Sequence, residues 1–268
     1  MTTSISRTAV ITGGGGLLGV EHASALVDIG FSVCLVDINS DSLKSASSII
    51  LANYPDASLH LFQSDISNES EVALLVNRLE EAFTRIDVLI NSAAVNSSPT
   101  SQEIPDNTVE NFSLERWNSE LSVGLTGTFL MCKYVGETMR RNRGGIIVNI
   151  ASDLSIIAPD QRIYKLDDSD VQFYKPVTYS AVKAGVIGIT KYLATYWAPH
   201  GIRVNALSPG GVLNGQPIEF QRKIVNLIPL NRMAQPDEYR GAIQFLCTDA
   251  SKYMTGQNLV IDGGRSVW

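Results

Sequence analysis

Short runs of apolar, largely β-branched residues alternate with longer amphipathic stretches along the chain. The short runs show no polar alternation, which is typical of strands that are buried on both faces of a parallel sheet. We predict seven strands, at residues 8–12, 31–36, 59–63, 86–90, 146–151, 202–207 and 259–261.

The stretches between these runs carry apolar residues at helical spacing. Val72, Leu75 and Val76, for example, share one face of the stretch 68–84. We predict further helices that begin near Leu17 or cover residues 41–53, 114–141, 177–199, 216–226 and 236–248, with an exposed loop at 96–111. Strands that alternate with helices predict an α/β doubly wound Rossmann fold, with helices on both faces of the sheet.

Composition supports a folded single domain that covers residues 1–268. Of the 268 residues, 44% are hydrophobic and 18% are charged, which excludes disorder as the main state. We find no repeat, low-complexity tract or linker. A net charge of −6 argues against a nucleic-acid partner, and no apolar run is long enough to suggest a membrane span.

The cysteines and histidines suggest neither disulfides nor metal. The three cysteines are far apart and odd in number, and they stand among apolar neighbours, so we expect buried, reduced thiols and a cytoplasmic protein. They are Cys34, Cys132 and Cys247. The three histidines lack the spacing of metal ligands, and we expect no metal site.

A glycine-rich turn, Thr12 to Gly19, joins the first strand to the first helix. Such a turn lets the backbone approach a pyrophosphate at a helix N-terminus, although a glycine cluster alone also fits a plain tight turn. Asp37 ends the second strand, where a carboxylate can accept both ribose hydroxyls and repel a 2′-phosphate. This favours NAD over NADP; helix capping is the alternative role for Asp37.

Tyr179 and Lys183 lie four residues apart, so they share a face if the segment is helical. A nearby ammonium favours the phenolate, and the pair can then act as general acid or base on a carbonyl or an alcohol. Taken alone, the same spacing also fits a solvated surface pair.

Several motifs occur in one order across most of the chain. They are Thr12–Gly19, Asp37, Asp65, Asn91-Ser92-Ala93-Ala94, Ser152, Tyr179-x-x-x-Lys183 and Ser208-Pro209-Gly210. From residue 8 to residue 264 the sequence resembles the short-chain dehydrogenase/reductase family, in its shorter, one-domain branch. The segment 152–162 and the stretch 264–268 further resemble family members linked to bacterial flagellin glycosylation.

The resemblance implies a seven-stranded sheet that binds NAD(P) at the carboxyl ends of its strands. Tyr179 would be the acid/base, Lys183 would hold the nicotinamide ribose and lower the Tyr179 pKa, and Ser152 would orient the substrate oxygen. The implied cofactor contacts also include Gly13, Gly16, Leu18, Gly19, Asp37, Asp65, the backbone of Ile66, Asn91, Ala93, Pro209, Val212 and Asn214. A homodimer or homotetramer would pair the apolar faces of 114–139 and 177–197, which core burial explains equally well.

Three features depart from the family pattern. Leu17 stands where the shorter branch usually has glycine, so the glycine spacing instead fits the branch of nucleotide-sugar epimerases and dehydratases. Gly124 replaces the asparagine that completes a proton relay to the lysine. Ser152 precedes Tyr179 by 27 residues, and the resulting insertion near 159–176 suits a polyol ligand, a surface loop or a subunit contact. The region 213–235 is a candidate substrate lid.

The sequence thus favours an NAD-dependent oxidoreductase that acts on a secondary alcohol or ketone, with a small-molecule substrate such as a sugar or sugar derivative. The flagellin-linked resemblance suggests a place in glycan or flagellin-modification biosynthesis. Two alternatives stay open: a non-catalytic dinucleotide-binding partner subunit, and a redox-assisted nucleotide-sugar epimerase or dehydratase.

Overall fold

Seven parallel strands form one sheet in the computed structural model, which describes residues 7–95, 107–165 and 172–268. The strands are β1 Thr8–Thr12, β2 Ser32–Asp37, β3 Leu59–Gln63, β4 Val88–Asn91, β5 Gly145–Ile150, β6 Ile202–Pro209 and β7 Asn258–Ile261. Their order is β3-β2-β1-β4-β5-β6-β7, and every neighbouring pair is parallel. The predicted doubly wound fold is confirmed.

Eight α-helices connect or flank these strands in the described part of the chain. They are α1 Leu17–Asp28, α2 Ser40–Asn53, α3 Glu69–Ala82, α4 Leu114–Leu121, α5 Thr128–Arg141, α6 Val177–Trp197, α7 Ile218–Val225 and α8 Arg240–Leu246. The predicted helix 114–141 is interrupted by a π-helical turn, Ser122–Gly127, which joins α4 to α5. Most of the predicted loop, residues 96–106, lies outside the described residues.

Local sequence explains where several helices begin. Asn39 caps α2 by accepting hydrogen bonds from the backbone N–H groups of Asp41 and Ser42, and Asn68 caps α3 in the same way. Pro217 precedes α7, so this helix begins two residues later than predicted.

Two apolar layers cover the faces of the sheet. On one face, α3, α5 and α6 pack side chains such as Met131 and Trp197 against the strands. On the other face, α1, α2 and α8 pack side chains such as Leu26, Leu43 and Ile243. Both faces are therefore buried, which is why the strands show continuous apolar runs rather than alternation.

The three cysteines lie within these layers as free thiols. Burial raises the pKa of Cys34, Cys132 and Cys247 to about 12 in each case. The thiols are therefore inert as nucleophiles, because the thiolate is the reactive form.

The strand order reverses between β1 and β4, which are neighbours in the sheet but not in the chain. In open α/β sheets, ligands bind at this switch point, outside the carboxyl ends of the strands. Thr12 and Asn91 are paired at this edge. A wide cavity of about 820 Å³ lies at the opposite edge, near Arg7, Arg85 and Arg203. It contains none of the catalytic or cofactor-binding residues predicted from the sequence. No helix in the described ranges could cross a membrane.

Candidate active site

The glycine turn brings the backbone of β1 close to the segment that follows β4. Gly13 has a φ of +65°, and a Cβ built there would lie 2.7 Å from the Cα of Ala93. A Cβ at Gly19 would lie 2.2 Å from the carbonyl oxygen of Gly13. The turn therefore requires glycine at both positions, while Leu17, at the start of α1, is 39% exposed and tolerates a side chain.

The N-terminus of α1 has the features of a phosphate site. Its first residue is preceded by Gly16, which offers no capping side chain, and its first turn has no acidic residue. Leu18 and Gly19 lie within that first turn, so their backbone N–H groups face the glycine turn without side-chain competition. Free N–H groups together with the helix dipole attract a pyrophosphate, so these residues fit a dinucleotide.

Asp37 reaches the glycine turn from the end of β2. One carboxylate oxygen accepts the N–H of Gly15 at 3.1 Å, and the other accepts the N–H of Asn39 at 3.0 Å. The carboxylate therefore lies beside the turn, where an adenosine ribose would be held. The capping role left open for Asp37 belongs instead to Asn39.

Asp65 and Ile66 follow β3, and their side chains make different contacts. Asp65 accepts hydrogen bonds from the backbone N–H and the hydroxyl of Ser67, at 2.9 and 2.7 Å. The Ile66 side chain is buried, and a Cβ at Gly127 would lie 2.8 Å from its Cδ1. Any contact of Ile66 with an adenine must therefore come from its backbone.

The segment that follows β4 is tied to β1 and β5. The hydroxyl of Thr12 accepts the N–H groups of Ser92 and Ala93 at 3.2 and 3.3 Å. The Asn91 side chain is buried and donates to Asn149 Oδ1 at 2.8 Å. Its own Oδ1 has no hydrogen-bond partner in the described part of the chain. Asn91 thus lies at the cofactor edge but directs its amide into the sheet.

Ser152, Tyr179 and Lys183 come together where β5 ends and α6 begins. Tyr179 and Lys183 lie on the first two turns of α6, and the Lys183 Nζ is 5.9 Å from the centre of the Tyr179 ring. The Lys183 ammonium is buried and donates to the carbonyl oxygen of Ile150 at 2.8 Å. Ser152 lies two residues after the end of β5, close enough to the Tyr179 hydroxyl to influence its pKa.

Burial dominates the protonation of this group. It lowers the pKa of Lys183 to about 8, and the nearby charge of Lys175 acts in the same direction. Burial also raises the pKa of Tyr179, against the opposing effect of its hydrogen bond with Ser152. This direction is opposite to the lowering by Lys183 that the family resemblance implied, because desolvation of the phenolate is the largest cause and the nearby charge of Asp153 acts in the same direction.

A buried ion pair that was not expected from the sequence lies next to Ser152. The Ser152 hydroxyl donates to Asp153 Oδ1 at 2.8 Å, and Arg265 donates to Asp153 Oδ2 at 2.8 Å. The side chains of Asp153 and Arg265 are only 4% and 6% exposed. The pair thus fixes the serine from a position 112 residues further along the chain.

Lys175 is the other residue that sequence reasoning missed. It lies just before α6, and its Nζ is 4.0 Å from the centre of the Tyr179 ring. The only signal was its place in the inserted segment four residues before Tyr179, which gave no reason to single it out.

Pro209, Val212 and Asn214 follow β6 towards the candidate lid. Pro209 ends the strand, Val212 pairs with Ala234, and Asn214 is exposed. The described part of the insertion packs on α7 through an apolar cluster. In this cluster the rings of Tyr164 and Phe220 lie 5.6 Å apart. The insertion and the candidate lid therefore form one packed unit beside Tyr179.

Gly124 lies in the π-helical turn and faces α6. A Cβ at this position would lie 2.6 Å from Val182 Cγ1. The asparagine that the family usually carries here would therefore collide with Val182. The departure from the family pattern is thus built into the packing of α6.

A glycine turn, a neighbouring carboxylate and a tyrosine–lysine pair at the switch point are together typical of a dinucleotide-binding oxidoreductase. The family model described as enoyl-(acyl carrier protein) reductase, adh_short_C2, matches residues 17–266. The chain belongs to the short-chain dehydrogenase/reductase family.

Individual relatives match over nearly the whole chain. A D-threitol dehydrogenase of Mycolicibacterium smegmatis is 34% identical, covering 97% of this chain and 93% of the relative. An NAD-dependent glycerol dehydrogenase of Listeria innocua is also 34% identical, covering 97% and 94%. A short-chain dehydrogenase of Leptospira borgpetersenii, solved with bound NAD+, has a TM-score of 0.84 and 33% identity, covering 97% and 93%. The narrower likeness to flagellin-linked members stays a prediction.

Proposed function

We propose that the protein is an NAD-dependent oxidoreductase that interconverts a secondary alcohol and a ketone on a polyol or sugar derivative. The observation that carries this proposal is the meeting of Ser152, Tyr179 and Lys183 at the carboxyl edge of the sheet, beside the glycine turn. Relatives named for threitol and glycerol support the substrate class.

Each residue has a distinct role in this reaction. Bound NAD would accept the hydride from the substrate carbon. Ser152 would hydrogen-bond the substrate oxygen. The deprotonated form of Tyr179 would take the hydroxyl proton during oxidation, and the protonated form would return it during reduction. Lys183, with a pKa of about 8, carries its charge at neutral pH and would hold the nicotinamide ribose.

The structure also offers support for NAD as the cofactor. Asp37 lies at the ribose position with its carboxylate beside the glycine turn, so a 2′-phosphate would meet a negative charge. The glycerol dehydrogenase relative is named as NAD-dependent. The cofactor residues would be Gly13, Gly16, Leu18, Gly19, Asp37, Asp65, Ile66, Asn91, Ala93, Pro209, Val212 and Asn214, with Tyr179 and Lys183.

The wider organisation belongs to the same proposal. One domain would carry the site, with 213–235 closing over the substrate together with the insertion. Exposed aromatic side chains on α5 and α6, Phe129, Tyr192 and Tyr196, support a homodimer or homotetramer. The free, buried cysteines favour action in the cytoplasm, where thiols stay reduced.

The direct test is NADH formation from NAD over a panel of polyols, sugars, nucleotide sugars and simple secondary alcohols. We expect turnover on polyols or sugars, and we expect Tyr179→Phe to lower it by at least about a hundredfold, since general acid–base catalysis contributes that much. NADH affinity, measured by fluorescence titration, should change by only a few-fold. Retained turnover in Tyr179→Phe would reject the acid/base role.

Gly124 supports a second candidate, a dinucleotide-binding subunit without catalysis, because the relay residue of the family is replaced. NADH binding without turnover on the whole panel, together with a copurifying partner, would favour that candidate over the oxidoreductase.

A further inference from the structure

Lys175 places a second ammonium group beside the acid/base tyrosine. Its Nζ lies over the face of the Tyr179 ring, 4.0 Å from the centre, whereas the Lys183 Nζ is 5.9 Å from that centre. The Lys183 ammonium donates a hydrogen bond to the carbonyl oxygen of Ile150. Lys175 has no such backbone acceptor in the described ranges, and the ring face is the contact that its ammonium makes.

The backbone around Lys175 is held firmly. Its N–H donates to Gln161 Oε1 at 3.0 Å, and the carbonyl of Tyr174 accepts from Asn107 Nδ2 at 2.8 Å. Lys175 itself is half-buried. The ammonium is thus positioned by the fold, unlike that of a lysine on an open surface.

The carboxylates nearest to Lys175 are already paired with other cations. Asp153 is bound by Arg265 at 2.8 Å, and Glu120 is bound by Arg116 at 2.7 Å. Among the residues the structure describes, Lys175 forms no ion pair. Burial lowers its pKa, with Arg265 acting in the same direction and the two carboxylates opposing it.

A half-buried ammonium without its own carboxylate is costly, and a substrate that brings a negative charge removes that cost. Lys183 is the other cation without a carboxylate partner here, and in the proposed function it serves the cofactor ribose. Lys175 is therefore the cation left for the substrate.

We propose that Lys175 binds a negatively charged group on the substrate, so that the preferred substrates are polyols carrying a carboxylate or a phosphate. The anionic group would pair with the Lys175 ammonium while a secondary hydroxyl carbon lies at Tyr179. This proposal rests on the proposed function, and it narrows the substrate class to anionic polyols.

The test compares neutral and anionic substrates of equal carbon count. NADH formation is measured with xylitol against xylonate, and with sorbitol against gluconate and sorbitol 6-phosphate. We expect an anionic member to exceed its neutral partner by at least about tenfold in kcat/KM. The carboxylate and phosphate arms identify which anion is bound.

Variants then assign that preference to Lys175. Lys175→Met should reduce the anionic-to-neutral ratio at least about tenfold, mainly through the KM of the anionic substrate, and Lys175→Arg should retain most of it. Lys191→Met removes an exposed lysine of α6 and should leave the ratio unchanged. A ratio that stays constant in Lys175→Met, with kcat lowered equally for both classes, would overturn the proposal and assign Lys175 to Tyr179 instead.

A binding measurement separates failure of this proposal from failure of the proposed function. If no substrate is oxidised, thermal unfolding of the NADH-loaded protein is followed with gluconate, sorbitol 6-phosphate or sorbitol. Stabilisation by an anion alone, lost in Lys175→Met and kept in Lys191→Met, supports the anion site without any turnover. Equal shifts for the anionic and neutral ligands, or no shift with either anion, contradict it.

Discussion

The hydroxyl of Ser152 donates its single hydrogen to the carboxylate of Asp153. The distance to Asp153 Oδ1 is 2.8 Å, and the serine oxygen accepts the N–H of Leu154 at 3.2 Å. Because the hydroxyl has only this one hydrogen, none is left for a substrate oxygen in this arrangement. A hydrogen bond from Ser152 to a substrate oxygen therefore requires the serine hydroxyl to rotate away from Asp153.

Substitution of Asp37 tests the preference for NADH over NADPH. Asp37→Ala should weaken NADH binding by about tenfold to a hundredfold, because the ribose loses a charged acceptor and the glycine turn loses the bond to Gly15. The preference for NADH over NADPH should narrow, since the repelling charge is gone. Titration of NADH and NADPH by fluorescence gives both quantities.

Asp41→Ala is the matched control, since it removes an exposed carboxylate four residues away on α2. It should leave both affinities unchanged. Equal binding of the two cofactors by the unaltered protein would contradict the role given to Asp37.

Residue chemistry could be predicted only where the partners were close in sequence or belonged to a recognised pattern. Tyr179 and Lys183 share a helix face, so their spacing alone indicated a pair. Arg265 and Asp153 are 112 residues apart, and each looks like an ordinary surface charge until the fold buries both. Burial raises the pKa of Tyr179, and spacing could not indicate this cause, because spacing reveals neighbours but not desolvation.

At the scale of elements, the π-helical turn is the clearest departure from expectation. The apolar pattern predicted one helix over 114–141, whereas the structure inserts Ser122–Gly127 between α4 and α5. A π-helical turn contains less than one residue more than an α-helical turn, so the spacing of the apolar residues hardly changes. The turn brings Gly124 against Val182 of α6.

That contact predicts that restoring the usual asparagine will harm the protein. Gly124→Asn should lower the free energy of unfolding by about 1–3 kcal/mol, because overpacking against a stiff, β-branched side chain forces a shift. Urea unfolding followed by circular dichroism measures the effect.

Val182→Ala provides the complementary change. Combined with Gly124→Asn it should recover part of the loss, so that the double variant is more stable than the sum of the two single changes predicts. Simple additivity would show that Val182 is not the obstacle.

The insertion and α7 were predicted separately and are joined in the structure. Ile163 of the insertion packs with Ile224 and Met233 around α7. The contact links residues about 60 apart, and helix periodicity carries no information on such a pairing. Movement of the candidate lid would therefore carry the insertion, including the segment that ends at Lys175.

At the scale of the whole molecule, the parallel sheet with helices on both faces was the feature most readily predicted from the sequence. Seven buried strands separated by amphipathic helices allow few topologies, because crossovers between parallel strands are right-handed and short. The two helix layers were expected because strands buried on both faces require a cover on each side. The strand order itself was not predicted from the sequence. The outer boundaries of the predicted helices shifted by at most four residues, as at the start of α8, which is Arg240 rather than 236.

His22 makes the stability of the whole molecule depend on pH. It lies in α1 with no hydrogen-bond partner for either ring nitrogen in the described part, and burial lowers its pKa to about 3. The unfolded chain takes up the proton first, near pH 6.5. The stability that neutral His22 allows is therefore present above pH 6.5 and is lost as the pH falls towards 3.

A comparison with His22→Leu isolates this contribution, because all other titrating groups are shared. The unfolding free energy of the unaltered protein minus that of His22→Leu should decrease by about 1.4 kcal/mol for each pH unit as the pH falls from 6 to 4. Chemical unfolding at several pH values measures the difference. A difference that does not change with pH would contradict the buried, neutral state of His22.

The ion pair between Asp153 and Arg265 makes the substrate side of the site depend on a residue far along the chain. A domain generally folds as one unit. The glycine turn and Asp37 precede Asp153, whereas Arg265 follows it by 112 residues. A chain interrupted before Arg265 would therefore contain the glycine turn and Asp37, but the carboxylate beside Ser152 would lack its cationic partner.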